Sequence, residues 1–250
     1  MNINISNFKD ILRKATMNYS INSVQLIFSE DNRIRSKMIS DNRDCIVLLD
    51  VENNVIPELI DGDFNFSEPS QQLKPFLNLI EEGDDIDSNI EIFQEKVIIT
   101  QGDLNVSVFF CDPIIVSTFG SDSAKKKDSF LSMTINDEFM NIFSKIGKIG
   151  SRFGKVYFNV KDGKFSIETS DKTNVYSNGL EFDLNTEKDM SKEIGDITLC
   201  FNYKNMVNLM SIVKEGDTLN FSYIKDQEMG MLSAVSGNGN EKYYLMSREM

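Results

Sequence analysis

Residues Tyr203 to Asp217, YKNMVNLMSIVKEGD, decide the fold of this chain because their pattern occurs twice. Apolar residues recur at the three- and four-residue spacing of one helix face, at Met206, Leu209, Met210 and Val213. Glu-Gly-Asp then ends the helix, and alternating apolar residues predict a strand over 218–224. The same helix face lies 133 residues earlier, at Leu73, Phe76, Leu77 and Ile80, and Glu-Gly-Asp follows again at 82–84. A single helix that ends at Glu-Gly-Asp is ordinary, but the repetition of the whole unit indicates that the two halves are related.

A second pattern repeats at almost the same offset. An apolar helix stripe near the start of the chain comprises Phe8, Ile11, Leu12, Ala15 and Tyr19, and one 131 residues later comprises Phe139, Ile142, Phe143 and Ile146. Each stripe precedes two strands joined by a tight turn, Asp31-Asn32 in the first half and Asp162-Gly163 in the second. A nearly constant offset across several features indicates duplication. We therefore predict an α+β fold made of two tandem copies of one domain.

The domain limits follow from where these patterns stop. We predict a first domain over 1–111, an extended connector over 112–128 and a second domain over 129–250. The first helix is expected at 6–19 with Ser6 as its N-cap, and Pro75 is expected to delay or kink the second helix. Strands are expected at 24–28, 34–39, 45–51, 64–66, 89–93, 96–100, 104–110, 155–160, 164–169, 174–184, 196–202, 218–224, 229–235 and 241–246.

Composition excludes several classes of protein. The hydrophobic fraction of 40% is ordinary, no apolar run approaches the length of a membrane span, and the polar start is not that of a signal peptide. Cys45, Cys111 and Cys200 are odd in number and far apart, so we expect reduced, buried thiols rather than disulfides or a zinc site. The chain has no histidine, which removes the commonest general base and transition-metal ligand.

No catalytic constellation emerges from the remaining residues. The acidic run Glu81, Glu82, Asp84, Asp85 and Asp87 lacks the spacing of a calcium-binding EF-hand loop. The glycines Gly147, Gly150 and Gly154 match no phosphate-binding loop and are interpreted as a turn at the end of a helix. We therefore expect a protein that is not an enzyme and that holds neither cofactor nor metal.

The charge of the chain is unevenly distributed. A net charge of −13 argues against binding to nucleic acid. Helical periodicity nevertheless places cations opposite the apolar stripe of the first helix in each half, at Lys9, Arg13 and Lys14, and at Lys145, Lys148 and Arg152. Two interpretations remain open at this stage, a pair of solvated helix faces and a surface that contacts a polyanion.

Short motifs add a resemblance to a known family. Tyr243-Tyr244-Leu245 is similar to the closing strand of proliferating cell nuclear antigen, and the run from Val160 to Phe165 is similar to a hairpin of that family. Asp112-Pro113 followed by Ile-Ile-Val resembles the connector of the T4-type phage clamp. Together with the doubled domain, these motifs make the whole chain resemble a DNA sliding clamp. The many Asn, Ile and Lys residues suggest an AT-rich genome, such as that of a phage.

The resemblance implies a particular assembly and role. Helices line the inside of a ring and antiparallel sheets form its outside, and because six domains close the ring, a chain of two domains would form a homotrimer. The ring encircles double-stranded DNA without reading its sequence and tethers a DNA polymerase, and an ATP-dependent clamp loader opens it. We expect a cytoplasmic protein with no membrane partner, in the host cell if a phage encodes it. The polar, basic end of the connector and the short tail after Leu245 depart from the family pattern.

The resemblance also implies three sets of site residues. The DNA-facing set is Lys9, Arg13, Lys14, Lys145, Lys148, Arg152 and Lys204. The groove for a partner peptide is expected to be lined by Ile39, Cys45, Ile114, Ile115, Val116, Tyr244 and Met246. Subunits are expected to join through edge strands that carry Leu104, Val106, Val108, Phe109 and Phe110 on one side and Val175, Tyr176, Leu180 and Phe182 on the other.

Two other classes of protein remain as alternatives. A monomeric viral DNA polymerase processivity factor has the same fold but binds DNA without encircling it. A protein-interaction scaffold would bind no DNA. The native mass separates the first alternative from a clamp, and loading onto DNA separates the second.

Overall fold

The computed structural model describes residues 1–81, 88–120, 129–173, 178–184, 195–224 and 229–247. The first Glu-Gly-Asp, the basic end of the connector, Val175, Tyr176 and the last three residues lie outside these ranges. The chain divides into two compact units, Met1–Ser123 with Asn240–Lys242, and Ala124–Gly239 with Tyr243–Met250.

The first unit contains helices and two antiparallel sheets. Its elements are α1 (Ile5–Ala15), β1 (Ser23–Ser29), β2 (Arg33–Ile39), β3 (Cys45–Glu52), β4 (Gly62–Ser67), α2 (Pro69–Gln72), α3 (Lys74–Leu77), β5 (Asn89–Ile92), β6 (Lys96–Gln101), β7 (Leu104–Phe109) and a 3₁₀ turn at Pro113–Ile115. The strand orders are β4-β1-β2-β3 and β5-β6-β7.

The second unit repeats this order of elements. They are β8 (Leu131–Thr134), α4 (Asp137–Phe153), β9 (Lys155–Lys161), β10 (Lys164–Thr169), β11 (Leu180–Leu184), β12 (Ile197–Asn202), α5 (Tyr203–Met210), β13 (Thr218–Ile224), β14 (Met229–Val235) and β15 (Glu241–Met246). The first two residues of β15 belong to the first unit. Strands β12-β9-β10-β11 are ordered as β4-β1-β2-β3 are, and β13-β14-β15 as β5-β6-β7 are. The predicted duplication and the α+β fold class are confirmed.

Strand β8 was not predicted, because four residues are too few to show a period. Its counterpart in the first unit is the start of the chain, which pairs with β5. The amide of Ile90 donates to the carbonyl of Met1 at 2.8 Å, and the amide of Ile3 donates to the carbonyl of Ser88 at 2.9 Å. Conversely, the strand expected at 174–184 begins only at Leu180 within the described residues.

Helix α1 differs from its prediction at both ends. Its N-cap is Asn4 rather than Ser6, and the Asn4 side chain accepts the amide hydrogen of Asn7 at 2.9 Å. It ends at Ala15 because Met17, Asn18 and Tyr19 adopt positive φ angles of 47°, 52° and 62°. Tyr19 therefore lies outside the helix whose apolar stripe it was expected to extend.

The second helix of the first unit is divided into two short helices next to Pro75, where a delayed start or a kink was predicted. Pro75 lies in the first turn of α3, where its missing amide hydrogen costs nothing, and α2 is a separate short helix. Leu73, Leu77 and Ile80 are buried as expected. Phe76, which was also assigned to the core, is instead 46% exposed.

The first part of the connector lies against β2. Strand β1 pairs with β2 over Arg33–Arg35, and the connector occupies the position beside the rest of β2. The amide of Ile39 donates to the carbonyl of Ser117 at 3.1 Å, and that of Phe119 donates to the carbonyl of Lys37 at 2.9 Å. Residues 117–119 are therefore tied to the first unit by sheet-like hydrogen bonds.

Candidate nucleic-acid interface

Helix α4 carries an exposed row of cations. Lys145, Lys148 and Arg152 are spaced by three and four residues, so they share one face, and all three are exposed. The opposite face buries Phe139, Phe143 and Ile146 against the sheet of β9 to β12. The helix geometry, rather than a flexible loop, therefore holds these three charges in line.

Helix α5 adds a fourth exposed cation beside α4. Its first residue, Tyr203, donates its amide hydrogen to the carbonyl of Gly154 and its hydroxyl hydrogen to the carbonyl of Gly147, both at 2.9 Å. Lys204 follows directly and is exposed. The two bonds from Tyr203 place the start of α5 against the last turns of α4.

Two of the glycines Gly147, Gly150 and Gly154 have a different role from the predicted terminal turn. Gly154 does end the helix, with a φ of 68°. Gly147 and Gly150, however, lie inside it. A Cβ atom on Gly150 would approach two atoms of the Tyr203 ring at 2.7 Å, so the absence of a side chain permits the close packing of α4 and α5.

We expect Gly150→Ala to destabilise the second unit by about 1–3 kcal/mol, because an overpacked methyl group forces the Tyr203 ring to move. The matched control is Gly147→Ala, whose Cβ would meet the Tyr203 hydroxyl oxygen at an ordinary 3.4 Å. That control should be stabilised by about 0.5–1 kcal/mol, since alanine is the better helix former. Urea unfolding of both variants checks this, and equal stabilisation of the two would show that α4 and α5 do not pack closely.

Lys204 and the three cations of α4 form no ion pair with any residue that the structure describes. The ammonium of Lys145 lies 5.7 Å from the centre of the Phe182 ring on β11, a contact that leaves its charge in place. We define Lys145, Lys148, Arg152 and Lys204 as the basic helix face.

The cations of α1 are engaged in contacts within the first unit. Lys14 is only 8% exposed, and its ammonium lies 2.8 Å from a carboxylate oxygen of Glu241 and 3.0 Å from one of Asp10. Arg13 pairs with Asp10 at 2.9 Å, and Lys9 donates to the carbonyl of Ile80 at 3.1 Å. The prediction that Lys14 faces DNA is therefore corrected, because a buried, paired ammonium cannot contact a phosphate.

Near neutral pH, Asp10 and Lys14 are both charged, so the ion pairs between them persist. Burial favours the neutral form of Asp10, but hydrogen bonds and charge from Lys14 and Arg13 outweigh it and lower the pKa of Asp10 below 3.8. Burial also opposes the charge of Lys14, yet Glu241 and Asp10 raise its pKa above 10.5. The contribution of Asp10 to stability is lost as the pH falls through its lowered pKa. That of Lys14 is lost as the pH rises through its raised pKa.

Sequence reasoning did not identify the two acidic residues that form ion pairs with these cations. Asp10 precedes Arg13 and Lys14 by three and four residues, so helical spacing could have revealed both pairs. Glu241 is 227 residues from Lys14, and no local pattern connects them.

The predicted groove residues fall into different environments. In the first unit Ile114 is 87% exposed and Ile115 is also exposed, whereas Val116 and Cys45 are buried and Ile39 is partly exposed. Burial raises the pKa of the Cys45 thiol. Val116 and Cys45 therefore cannot line an open groove. Tyr244 and Met246, in the second unit, are partly exposed.

The predicted subunit contacts lie on edge strands of their sheets. Strand β7 is the last strand of β5-β6-β7, and β11 is the first of β11-β10-β9-β12. Phe109 is 63% exposed, and Leu104, Phe110, Leu180 and Phe182 are partly exposed. The side chains of Val106 and Val108 are buried in the first unit, so a neighbour paired with this edge would meet the backbone of these residues. Val175 and Tyr176 lie outside the described residues.

Within the described ranges no three His, Cys, Asp or Glu side chains converge as the ligands of a metal ion would. Of the acidic run, Glu81 alone belongs to those ranges. No helix in the described part of the chain has the length and apolar character that a membrane span requires.

Known structures resemble this chain along its whole length. A structure of the C-terminal region of FEN-1 bound to A. fulgidus PCNA matches with a TM-score of 0.65 and 14% identity, covering 100% of this chain and 98% of that chain. The DNA polymerase III beta subunit of Pseudomonas aeruginosa matches with a TM-score of 0.71 and 12% identity. The beta chain of Streptococcus pneumoniae matches with a TM-score of 0.71 and 14% identity.

The share of each neighbour that is covered differs. This chain spans 66% of the Pseudomonas chain and 64% of the Streptococcus chain, about two thirds of each, but 98% of the A. fulgidus chain. No protein-family model and no curated protein matches the sequence. The structural likeness covers 100% of this chain, and it shows that this chain has the fold of the DNA sliding clamps.

Proposed function

We propose that this chain is the subunit of a DNA polymerase processivity clamp, a non-catalytic homotrimeric ring that encircles duplex DNA and tethers a DNA polymerase. An ATP-dependent clamp loader opens the ring, and the clamp acts in the cytoplasm, that of the host if a phage encodes it. The observation that carries the proposal is the basic helix face. Exposed cations without a salt bridge among the described residues lie on two packed helices of a sliding-clamp fold, in a chain of net charge −13.

A basic helix face suits contact with phosphate rather than with bases. Lysine and arginine on a rigid helix neutralise phosphates and release condensed counterions, which gives affinity without sequence information. The acidity of the whole chain repels DNA elsewhere, so free affinity is weak and decreases steeply with salt. Retention on DNA then depends on topology, which is the physical advantage of a closed ring.

The match to a PCNA chain supports a homotrimer. This two-unit chain spans 98% of the PCNA chain that it matches, and the clamp resemblance implies that six domains close a ring. The open edges of β7 and β11 supply two different surfaces, and such a head-to-tail contact can close into a ring.

The proposal is tested by native mass and by retention on DNA. We expect a trimer at micromolar concentration, and rings loaded onto nicked circular DNA should remain bound but leave after the circle is cut. A stable monomer that still stimulates the polymerase would identify the non-encircling processivity factor instead. A protein that never loads onto DNA would identify a scaffold.

The connector is proposed to bind partner peptides through Ile114 and Ile115, which are exposed in the first unit. We expect Ile114→Ser combined with Ile115→Ser to weaken binding of a polymerase C-terminal peptide by about 10- to 100-fold, since each buried apolar anchor contributes roughly 1.5–3 kcal/mol. Peptide titration by fluorescence anisotropy measures this. The control is Ile60→Ser, an exposed isoleucine elsewhere in the first unit. Unchanged affinity in a double variant that still assembles rejects this site.

A further inference from the structure

The β1–β2 hairpin of the first unit opens partway along its length, whereas its counterpart in the second unit stays closed. Counted from the turn, β9 and β10 pair at five successive positions, the fifth being Tyr157 with Glu168. Strands β1 and β2, which are described throughout, pair at the first three positions alone. The fifth pair, Gln25 with Lys37, is therefore missing from the first unit.

Residues 117–119 of the connector fill this opening, and we call them the strap. On one side they bind β2, where the carbonyl of Lys37 accepts a hydrogen bond of 2.9 Å from the amide of Phe119. On the other side the amide of Ser117 donates to the hydroxyl oxygen of Ser23 on β1 at 3.2 Å. The strap is thus a short strand inserted between β1 and β2.

The insertion leaves polar groups around the opening poorly satisfied. The amide of Gln25 donates to the sulfur of Met38 at 3.3 Å, and a thioether is a weak acceptor. Among the described residues, two buried side-chain oxygens have no hydrogen-bond partner, those of Ser36 and Asn65. Ser36 follows the last β1–β2 pair, and Asn65 of β4 pairs with Gln25. Buried polar groups without partners cost free energy, so the inserted arrangement is held weakly.

We propose that the strap and the β1–β2 hairpin exchange hydrogen-bond partners, which switches the connector between an inserted form and a released form. In the released form the amide of Gln25, instead of that of Phe119, donates to the carbonyl of Lys37. Strand β1 then closes on β2 as β9 does on β10. The carbonyl of Lys37 has a donor in both forms, so the two differ little in free energy and a bound ligand can shift their populations.

The switch regulates the proposed partner-peptide site, and this part of the inference rests on that proposed function. The exposed residues Ile114 and Ile115 lie just before the strap. Their segment is held at one end by the amide of Cys111, which donates to the carbonyl of Asn65 at 2.9 Å, and at the other end by the strap. Release of the strap removes the second attachment, so the two isoleucines lose their fixed position. A partner peptide therefore binds the inserted form and stabilises it.

The first test traps the released form with a disulfide. Gln25→Cys/Lys37→Cys is made in a Cys111→Ser background, because Cys45 and Cys200 are buried. In the closed hairpin the two Cα atoms would lie about 5.5 Å apart, within disulfide range, whereas an intervening strand separates them by roughly 9–10 Å. We expect this test pair to form the disulfide under mild oxidation, as judged by mass spectrometry of the digested protein.

The matched control is Ile27→Cys/Arg35→Cys in the same background, because these residues are already paired on β1 and β2. A test pair that stays reduced while the control oxidises overturns the switch. A polymerase C-terminal peptide at about ten times its Kd should slow oxidation of the test pair about tenfold and leave the control unchanged. Equal oxidation with and without bound peptide overturns regulation of the site. A wild type that binds no peptide overturns the partner site and leaves the oxidation result to decide the switch.

The second test is hydrogen exchange measured by NMR, which needs no cysteine substitution. Met38→Leu removes the acceptor of the Gln25 amide in the inserted form alone, so the amide of Phe119 should exchange about tenfold faster than in the wild type. Met206→Leu, which changes an equally buried methionine of α5, should leave that rate unchanged. In the wild type the Phe119 amide should exchange before the core amides of β9 do. Exchange of Phe119 only with global unfolding, or an unchanged rate in Met38→Leu, would show that the strap does not leave the sheet.

Discussion

Replacing Lys145, Lys148 and Arg152 together by alanine is expected to lower the rate of loading onto DNA by about 10- to 1,000-fold at moderate salt, because these cations attract the phosphate backbone. Rings that have been loaded should still remain on circular DNA, since encirclement rather than charge retains them. The dependence of binding on salt should also become shallower, as fewer counterions are released. The measurements are loading kinetics and processive synthesis over a salt series.

The matched control for this triple variant is Lys161→Ala/Lys164→Ala. Both lysines are exposed in the second unit, but they lie on the β9–β10 hairpin rather than on a helix. The control should load at nearly the wild-type rate. Equal loading by the triple variant and the wild type would show that the basic helix face is merely solvated. Equal retention of wild type on circular and linear DNA would exclude encirclement.

A charge at either open edge strand is expected to give soluble monomers. Phe109 on β7 and Leu180 on β11 lie on the two proposed sides of the subunit contact, and Phe109 is 63% exposed in the single chain. Phe109→Asp or Leu180→Asp would bury an unpaired carboxylate within an interface of about 1,200–2,000 Å². The free energy of unfolding of the single chain should change little for Phe109→Asp, because the substitution is at the surface.

Native mass spectrometry and sedimentation measure this outcome, with Ile60→Asp as the control for an exposed apolar residue changed to aspartate. The control should remain trimeric. A trimer that survives both edge substitutions would contradict pairing of β7 with β11. A wild type with the mass of one chain would contradict assembly altogether.

Local periodicity was sufficient to predict most of the fold. The strand pattern of each repeat and the row of Lys145, Lys148 and Arg152 depend on residues close in sequence, where backbone geometry sets which side chains share a face. The constant offset between the halves showed the duplication, because it needs only comparison of one part of the chain with another.

Contacts between residues that are distant in sequence determined which of these side chains are buried or paired. Lys14 was predicted on an outward helix face, but Glu241, 227 residues away, pairs with it and removes it from the surface. Phe76 and Leu209 occupy the same repeat position, yet the first is exposed and the second buried. Periodicity indicates which residues share a face, whereas burial and ion pairing depend on what packs against that face, and that is set by the folded chain as a whole.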